Sequence, residues 1–180
     1  SALIAVDSLN QDGYLLMATR RGRIKRLSLD SISTIRRLGL IIINLRKGDE
    51  LVSVRLARED DDIVMVTESG QSIRFASSEI TTHSRTAGAM LGMRLRPDDC
   101  LVAMDVVVPD SQLLVVSKNG YGKLTNLNRY RRQSRAGYGI KTLRVTSKTG
   151  PVADAQVIED SQEVFLVSEM SNVIRIDIGE

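Results

Sequence analysis

The stretch Thr19–Leu27 reads TRRGRIKRL, and it follows the apolar run YLLMA at 14–18. An apolar run, a short polar turn with a glycine and a second run together predict a β-hairpin, because glycine allows the positive φ of the turn. The pattern returns at TESGQSIRF (67–75), SKNGYGKLT (117–125) and SEMSNVIRI (168–176). The turn glycines stand at 22, 70 and 120, with Ser171 in the fourth place. A hairpin therefore recurs about every 50 residues.

A second block follows each of the first three hairpins. It reads RRLGLIIINLRKGDELVSV at 36–54, TAGAMLGMRLRPDDCLVAM at 86–104 and AGYGIKTLRVTSKTGPVADA at 136–155. Two apolar runs around a polar turn predict a second hairpin, so that each unit would contain four strands. Four-stranded units with this period predict an all-β, propeller-like fold, a β-pinwheel of four-stranded blades.

The chain of residues 1–180 is interpreted as one such domain or part of one. The full units would span about 14–61, 62–111 and 112–162, with partial units at 1–13 and 163–180. The partial units contain a strand at 2–6 (ALIAV) and a final hairpin. Either the chain is a piece of a larger ring, or the strand at 2–6 pairs beside 163–176 and closes a small ring.

Composition narrows the classes of function. The chain has a formal net charge of +3 and a pI near 9.2, which favours a polyanionic partner only weakly. Cys100 is the only cysteine and His83 the only histidine, so thiol–histidine catalysis and a Cys/His zinc site are not expected. The acidic run at 59–62 is interpreted as a solvated turn rather than a metal site. We therefore predict no catalytic residue, no metal site, no membrane span and a cytoplasmic location.

Several blocks resemble, in consecutive order, the C-terminal domain of the DNA gyrase A subunit. They are GLIIINLRKGDELVSV (39–54), IRFASSEITTHSRTAGAMLGMRL (73–95), SKNGYGKLT (117–125) and SRAGYGIKTLRVTSKTGPV (134–152). The resemblance implies a six-bladed β-pinwheel that binds duplex DNA around a basic rim and bends or wraps it. In that family the domain is a non-catalytic part of an ATP-dependent type II topoisomerase, an isomerase, and presents DNA for strand passage and supercoiling.

The same resemblance implies the partners and the cofactors. The partners would be double-stranded DNA, the gyrase B subunit, and the rest of the gyrase A subunit, in a nucleoid-associated cytoplasmic setting without a membrane. No cofactor is expected in this chain, since ATP and Mg²⁺ belong to other parts of the holoenzyme. Two alternatives are the C-terminal domain of the topoisomerase IV A subunit, and a propeller-type scaffold for protein partners.

Two stretches depart from the family pattern. RRQSRAGYG at 131–139 is similar to the family's glycine-rich basic box, but it lies in a different repeat and has Ser134 and Ala136 inside it. We do not assign the function of the box to it. GYGKLT at 120–125 has Leu124 where the family has arginine, which predicts a weaker basic rim at this unit or a different neighbour for the strand.

Basic side chains near the repeated hairpins are the candidates for DNA contacts. Lys and Arg at a rim would neutralise phosphates and release counterions without reading bases. In the second strand of the first hairpin, alternation predicts that Lys25 lies on the face opposite Ile24 and Arg26, one face being apolar and the other charged. The predicted DNA-binding residues are Arg20, Arg21, Arg23, Lys25, Arg26, Arg36, Arg37, Arg74, Arg85, Arg94, Lys118, Lys123, Arg129, Arg131, Arg132, Arg135 and Lys141.

Overall fold

Three antiparallel hairpins recur along the chain. They are β1 (Tyr14–Thr19) with β2 (Arg23–Ser28), β4 (Asp62–Thr67) with β5 (Gln71–Ala76), and β8 (Gln112–Ser117) with β9 (Gly122–Asn126). The turn glycines have φ of 72° at Gly22, 79° at Gly70 and 81° at Gly120. The predicted hairpins and their positive-φ glycines are confirmed.

The computed structural model describes residues 12–32, 39–159 and 163–167, and the backbone of 173–177. The predicted strand at 2–6 lies outside these residues. A short 3₁₀ turn follows β2, β5 and β9, at Leu29–Ile32, Ser77–Glu79 and Leu127–Arg129. The remaining strands are β3 (Leu51–Ala57), β6 (Met90–Leu91), β7 (Leu101–Val107), β10 (Ile140–Lys141), β11 (Val152–Ile158), β12 (Glu163–Val167) and β13 (Val173–Asp177).

The strands form three larger sheets and a final hairpin. Sheet 1 has the order β3-β1-β2-β6, sheet 2 the order β7-β4-β5-β10, and sheet 3 the order β11-β8-β9, while β12 pairs with β13. The all-β class and the four-stranded sheets are confirmed.

The second hairpin predicted at 86–104 and at 136–155 is wrong. In each block the first strand, β6 or β10, joins the preceding sheet, and the second strand, β7 or β11, joins the block's own sheet. The predicted domain limits stay a prediction.

The first two hairpin turns are each held by the following unit. The carbonyl oxygen of Gly22 accepts hydrogen bonds from the backbone N–H groups of Gly92 and Met93, at 3.0 and 2.9 Å. The carbonyl oxygen of Gly70 accepts the equivalent bonds from Thr142 and Leu143, at 2.9 and 3.3 Å. A side chain at Gly22 would place its Cβ 2.5 Å from the carbonyl oxygen of Met93. Glycine is therefore required both for the turn and for this close approach.

Hydrophobic layers lie between consecutive sheets. Leu16 and Ile24 of sheet 1 pack with Ile63, Met65 and Phe75 of sheet 2. The opposite face of β4, with Val64 and Val66, packs against sheet 3. Because β4 is buried on both faces, its sequence DIVMVT is a nearly continuous apolar run rather than an alternating one.

One edge of each sheet faces its neighbours directly. The Met104 N–H of β7 donates to the hydroxyl of Ser53 on β3 at 3.2 Å, and the Val157 N–H of β11 donates to Asp105 of β7 at 2.9 Å. Arg55 and Asp105 form an ion pair of 2.7 Å across the same strands. We call the side of β3, β7 and β11 the inner edge, and the side of β6 and β10 the outer edge. No helix in the part of the chain described here is long and apolar enough to span a membrane.

Candidate nucleic-acid interface

The outer edge is covered by the chain segments that pass from one sheet to the next. Segment 80–97 follows β2: the backbone of Thr82 bridges that of Arg26, and β6 then pairs with residues 23–24. Segment 130–147 follows β5 in the same way, with a bridge from Arg132 to Arg74 and then β10 beside residues 71–72. We call these two segments, with their sequence counterpart 31–48 in the first unit, the crossing segments; residues 33–38 of that counterpart lie outside the described residues.

The crossing segments carry no acidic residue. They contain twelve of the 25 Lys and Arg residues of the chain and none of its 22 Asp and Glu residues. Among the described acids, Glu68 lies at a hairpin turn, Glu59 and Asp60 lie at a turn between units, and Asp105 and Asp154 lie on inner-edge strands. This separation concentrates positive potential on the outer edge, although the net charge is only +3.

Several cations of the crossing segments are exposed to solvent. Arg85, Arg94, Arg131 and Lys141 are all exposed. The Arg94 guanidinium lies 5.5 Å from the centroid of the Tyr138 ring, which is itself 49% exposed. A cation over an aromatic face is held in place while its N–H groups stay available to an anion. The outer edge is thus the candidate nucleic-acid interface.

Two of the predicted DNA-binding residues, Lys25 and Arg26, have buried side chains. The Lys25 ammonium donates to the carbonyl oxygens of Arg85 and Ala87, each at 2.6 Å, and burial lowers the pKa of Lys25. Arg26 lies 4.3 Å from the centroid of the Tyr14 ring and forms a 3.0 Å ion pair with Glu59. Arg26 also donates through Nε to the Thr82 hydroxyl at 3.1 Å, so both cations bind segment 80–97 of the next unit and are buried.

The predicted division of β2 into an apolar face and a charged face is also wrong. Every residue from Ile24 to Leu27 is buried, since the crossing segment of the second unit covers the strand. The acidic run at 59–62 is corrected in part. Asp62 is buried between Arg74 at 2.8 Å and Arg132 at 2.6 Å, whereas Glu59 and Asp60 are exposed.

Three further candidates are half-buried and join neighbouring units. Arg74 donates to the carbonyl oxygen of Leu127 at 2.8 Å in addition to its ion pair with Asp62. Arg135 donates to the carbonyl oxygens of Glu79 and Leu91, at 3.1 and 3.0 Å. Arg23 donates through Nε to the carbonyl oxygen of Ala89 at 2.9 Å. Arg23 is anchored through Nε, whereas Arg74 and Arg135 each donate through Nε and one terminal nitrogen.

The hairpin turns of the three units carry charges of alternating sign. Lys118 forms a 2.7 Å ion pair with Glu68, the residue that occupies the equivalent place one unit earlier. The hydrogen bond from Lys118 is the main cause that lowers the pKa of Glu68, and the charge of Arg20 acts in the same direction. Burial is the main cause that raises the pKa of the nearby Cys100 thiol, to about 11, so this buried cysteine stays protonated at neutral pH.

The predicted DNA-binding residues therefore fall into distinct environments. Arg36 and Arg37 lie outside the described residues, Lys25 and Arg26 are buried, and Arg23, Arg74 and Arg135 are half-buried. Lys118 and Arg132 are exposed but ion-paired. In the described part of the chain, the predicted cations that are exposed and form no ion pair are Arg20, Arg21, Arg85, Arg94, Lys123, Arg129, Arg131 and Lys141.

The outer edge carries further basic residues that are not among the predicted DNA-binding residues, because the prediction started from the hairpins. Arg46, Lys47, Arg96 and Arg144 lie in the crossing segments and are exposed, and Lys148 follows directly after the third of them. The signal that identifies them is the absence of acids over 31–48, 80–97 and 111–153. This signal depends on charge segregation along the repeat, not on the charge of any one turn.

Leu124 also has a structural explanation. Counted from the turn glycine, it occupies the place of Arg26 and Arg74, which bind within the protein and join one unit to the next. The arginine at this place therefore stabilises the interface between units rather than the rim. Leu124 is 36% exposed on β9.

The described residues contain no group of three His, Cys, Asp or Glu side chains that could hold a metal ion. Tyr130 is buried, with its hydroxyl bonded to that of Thr142, and is a packing residue. Tyr121 and Tyr138 are exposed on the surface.

Comparison with known proteins gives concordant matches. The model of the family "DNA gyrase C-terminal domain, beta-propeller" matches residues 13–58, 61–107 and 111–159. The DNA gyrase A subunit of Staphylococcus aureus is 38% identical over 183 aligned positions, which cover 100% of this chain and 21% of the relative. The DNA gyrase A subunit of Mycolicibacterium smegmatis is 37% identical over 96% of this chain and 21% of the relative. The chain thus spans about a fifth of the curated relatives that it matches.

Two solved structures share the fold. The C-terminal domain of DNA topoisomerase IV superposes with a TM-score of 0.91 at 27% identity, over 98% of this chain and 56% of that one. A DNA gyrase A C-terminal domain superposes with a TM-score of 0.88 at 28% identity, over 97% of this chain and 58% of that one. The all-β, propeller-like pinwheel with repeats of about 50 residues is confirmed.

Proposed function

The chain belongs to the DNA gyrase C-terminal domain family, and from this premise we propose that it binds duplex DNA along its outer edge and bends it, with no catalytic step of its own. The observation that carries the proposal is the charge segregation of the crossing segments: twelve cations and no acid. A polyanion would meet cations wherever it follows this edge.

The chemistry of binding is phosphate neutralisation. Duplex DNA carries one negative charge per ~1.7 Å of its axis, and each phosphate neutralised by Lys or Arg releases condensed counterions. Flexible, exposed side chains such as Arg85, Arg131 and Lys141 suit contacts that position DNA without reading its sequence. Sequence preference would then arise from the cost of bending the duplex.

The arrangement of the sheets supports bending. The inner-edge strands β3, β7 and β11 contact one another, whereas the outer edges are separated by the crossing segments. A duplex that contacts consecutive outer edges would follow a curve around the inner edge. Bending a duplex of 20–30 base pairs smoothly by 40–90° costs on the order of 1–6 kcal/mol. Many phosphate contacts can offset this cost.

Within the whole protein, the domain would present a bent DNA segment for strand passage and supercoiling. Its partners would be the gyrase B subunit, together with the rest of the gyrase A subunit, and these would also hold ATP and Mg²⁺, in a cytoplasmic, nucleoid-associated setting. Three curated relatives at 36–38% identity are gyrase A subunits, which supports gyrase over topoisomerase IV. The solved domains of the two enzymes are almost equally similar to this chain.

The test is DNA binding by the purified chain as a function of duplex length and salt. With linear duplexes of about 20 and about 150 base pairs, we expect tighter binding of the longer one. We also expect log Kd to change with log salt by about 0.9 per phosphate contacted. Absence of binding at low salt would refute the proposal and favour a scaffold for protein partners.

A matched pair of variants locates the interface. Arg85→Gln removes one exposed cation of a crossing segment, and Arg58→Gln removes one exposed cation that follows β3. Arg85→Gln should reduce the salt slope by about 1, and Arg58→Gln should leave it unchanged. Equal effects of the two changes would contradict an interface at the outer edge.

A further inference from the structure

A small cavity opens where the first hairpin meets the crossing segment of the second unit. Its volume is about 180 Å³, and its lining includes Thr19, Arg23, Asn44, Arg46 and Gly88. It lies at the outer edge, because Arg23 pairs with Leu91 of β6. The backbones of Asn44 and Gly88 bridge each other beside it.

Two guanidinium groups share this cavity. Arg23 is half-buried and is held by its Nε bond to the carbonyl oxygen of Ala89 at 2.9 Å. Burial first, and the charge of Arg46 second, lower the pKa of Arg23. Over the described ranges of the chain, neither arginine forms an ion pair. Two like charges are thus held near each other without a direct counterion.

The carboxylate that also lines the cavity is already engaged. One oxygen of Asp49 accepts from the backbone N–H groups of Arg21 and Glu50, at 3.0 and 2.9 Å, and the other accepts from the Thr19 hydroxyl at 2.7 Å. Asp49 therefore fixes the hairpin turn and reduces, without cancelling, the positive potential beside it. The cavity keeps an excess of one positive charge over its lining residues.

We propose that this cavity binds one phosphate group of the DNA backbone, held between Arg23 and Arg46. The inference rests on the proposed function and assigns it a defined contact. Planar guanidinium groups match the oxygens of a phosphate in pairs of hydrogen bonds. The cavity is smaller than the ~300–1,000 Å³ typical of sites for drug-sized ligands, which fits a phosphate and excludes a whole nucleotide.

The next unit has a large side chain at the place that Gly88 occupies beside the cavity. Aligned by the repeat, Gly88 corresponds to Tyr138 and Arg23 to Gln71. In that unit the tyrosine ring lies under Arg94, whereas a Cβ added at Gly88 would meet no atom within 4 Å. The mouth of the first cavity is therefore open, and a tyrosine can be introduced there without a clash of its Cβ.

Duplex binding across a salt series tests the proposal in the purified chain. Arg23→Gln, Arg46→Gln and the double variant should each reduce the salt slope by about 1, because both arginines contact the same phosphate. The charge-neutral Gly88→Tyr should reduce it by a similar amount. The matched control Arg58→Gln should keep the slope of the wild type. The shared site would be overturned if the double variant reduced the salt slope by about 2, or if Arg46→Gln kept the slope of the control Arg58→Gln.

A second measurement separates this inference from the proposed function. Inorganic phosphate is titrated while the Arg23 Nε–H signal is followed by NMR, with chloride at equal ionic strength as the control. A shift with phosphate alone supports the cavity, and no shift overturns it. If the chain bound no duplex, the proposed function would fail while this titration still decided whether the cavity takes phosphate. If duplex binding were strong and the Arg23 signal and variants unchanged, only the cavity would be refuted.

Discussion

Replacing Lys25 by methionine distinguishes a structural cation from a DNA contact. Methionine has a similar length and no donor, so the carbonyl groups of Arg85 and Ala87 each lose a hydrogen bond of 2.6 Å. A hydrogen bond from a charged donor contributes about 1.5–3 kcal/mol. Relief from burying the ammonium group offsets part of the loss. We expect the free energy of unfolding to fall by about 2–4 kcal/mol.

Urea unfolding measures this change, and amide hydrogen exchange over 83–89 locates it in the crossing segment. The salt slope of DNA binding should stay that of the wild type, because the buried ammonium faces no phosphate. Arg85→Gln is the matched control, with an unchanged free energy of unfolding and a slope lower by about 1. Unchanged stability together with a lower slope in Lys25→Met would refute the reasoning and restore Lys25 as a DNA contact.

Three further changes test how the units are joined. Arg74→Gln removes the 2.8 Å partner of the buried Asp62 and should lower the free energy of unfolding by about 2–4 kcal/mol, measured in urea; a change below about 0.5 would contradict this role. A lysine of the next turn lowers the pKa of Glu68 in the native state, so the ion pair stabilises the fold above the unfolded pKa of about 4.3 and this stabilisation is lost as pH falls through the native pKa. Glu68→Gln should therefore lose less stability than the wild type between about pH 5 and pH 3, and identical stability profiles for the two proteins would refute this. Gly22→Ala should lower the melting temperature more than Gly120→Ala does. The positive φ costs about 1–2 kcal/mol at either position, but only at Gly22 would the new Cβ lie 2.5 Å from a backbone oxygen, so equal melting temperatures would contradict the close approach.

The hairpins could be predicted because their signals are local. An apolar run, a turn glycine and a second run lie within 15 residues, Tyr14–Ser28 in the first unit, and each of the three turn glycines has the positive φ that the pattern requires. The second blocks added two strands to each unit, and this indicated four-stranded sheets although the two strands join different sheets. The resemblance of consecutive blocks then indicated the family, and the family match confirmed it.

The pairing of the second blocks could not be predicted from the same kind of pattern. Met90–Leu91 and Leu101–Val107 look like two strands around a turn, yet the first joins sheet 1 and the second joins sheet 2. Only the contact with a strand more than 60 residues earlier in the chain decides this, and the turn between them has no property that forbids a hairpin. The burial of Lys25 could not be predicted for the same reason.

The amino-acid sequence by itself determined the hairpin, the repeat, the family and the separation of acids from cations, because each of these is written in residue order. The tertiary structure alone decided which cations are available to a phosphate. Lys25 and Arg85 were both predicted as DNA contacts from the sequence, yet the first is buried and the second exposed. The difference is the crossing segment of the next unit, which covers β2 and supplies the two carbonyl oxygens that bind Lys25. Lys25 can be buried because a distant segment of the chain satisfies its hydrogen bonds, and the local sequence does not show which distant segment will pack there.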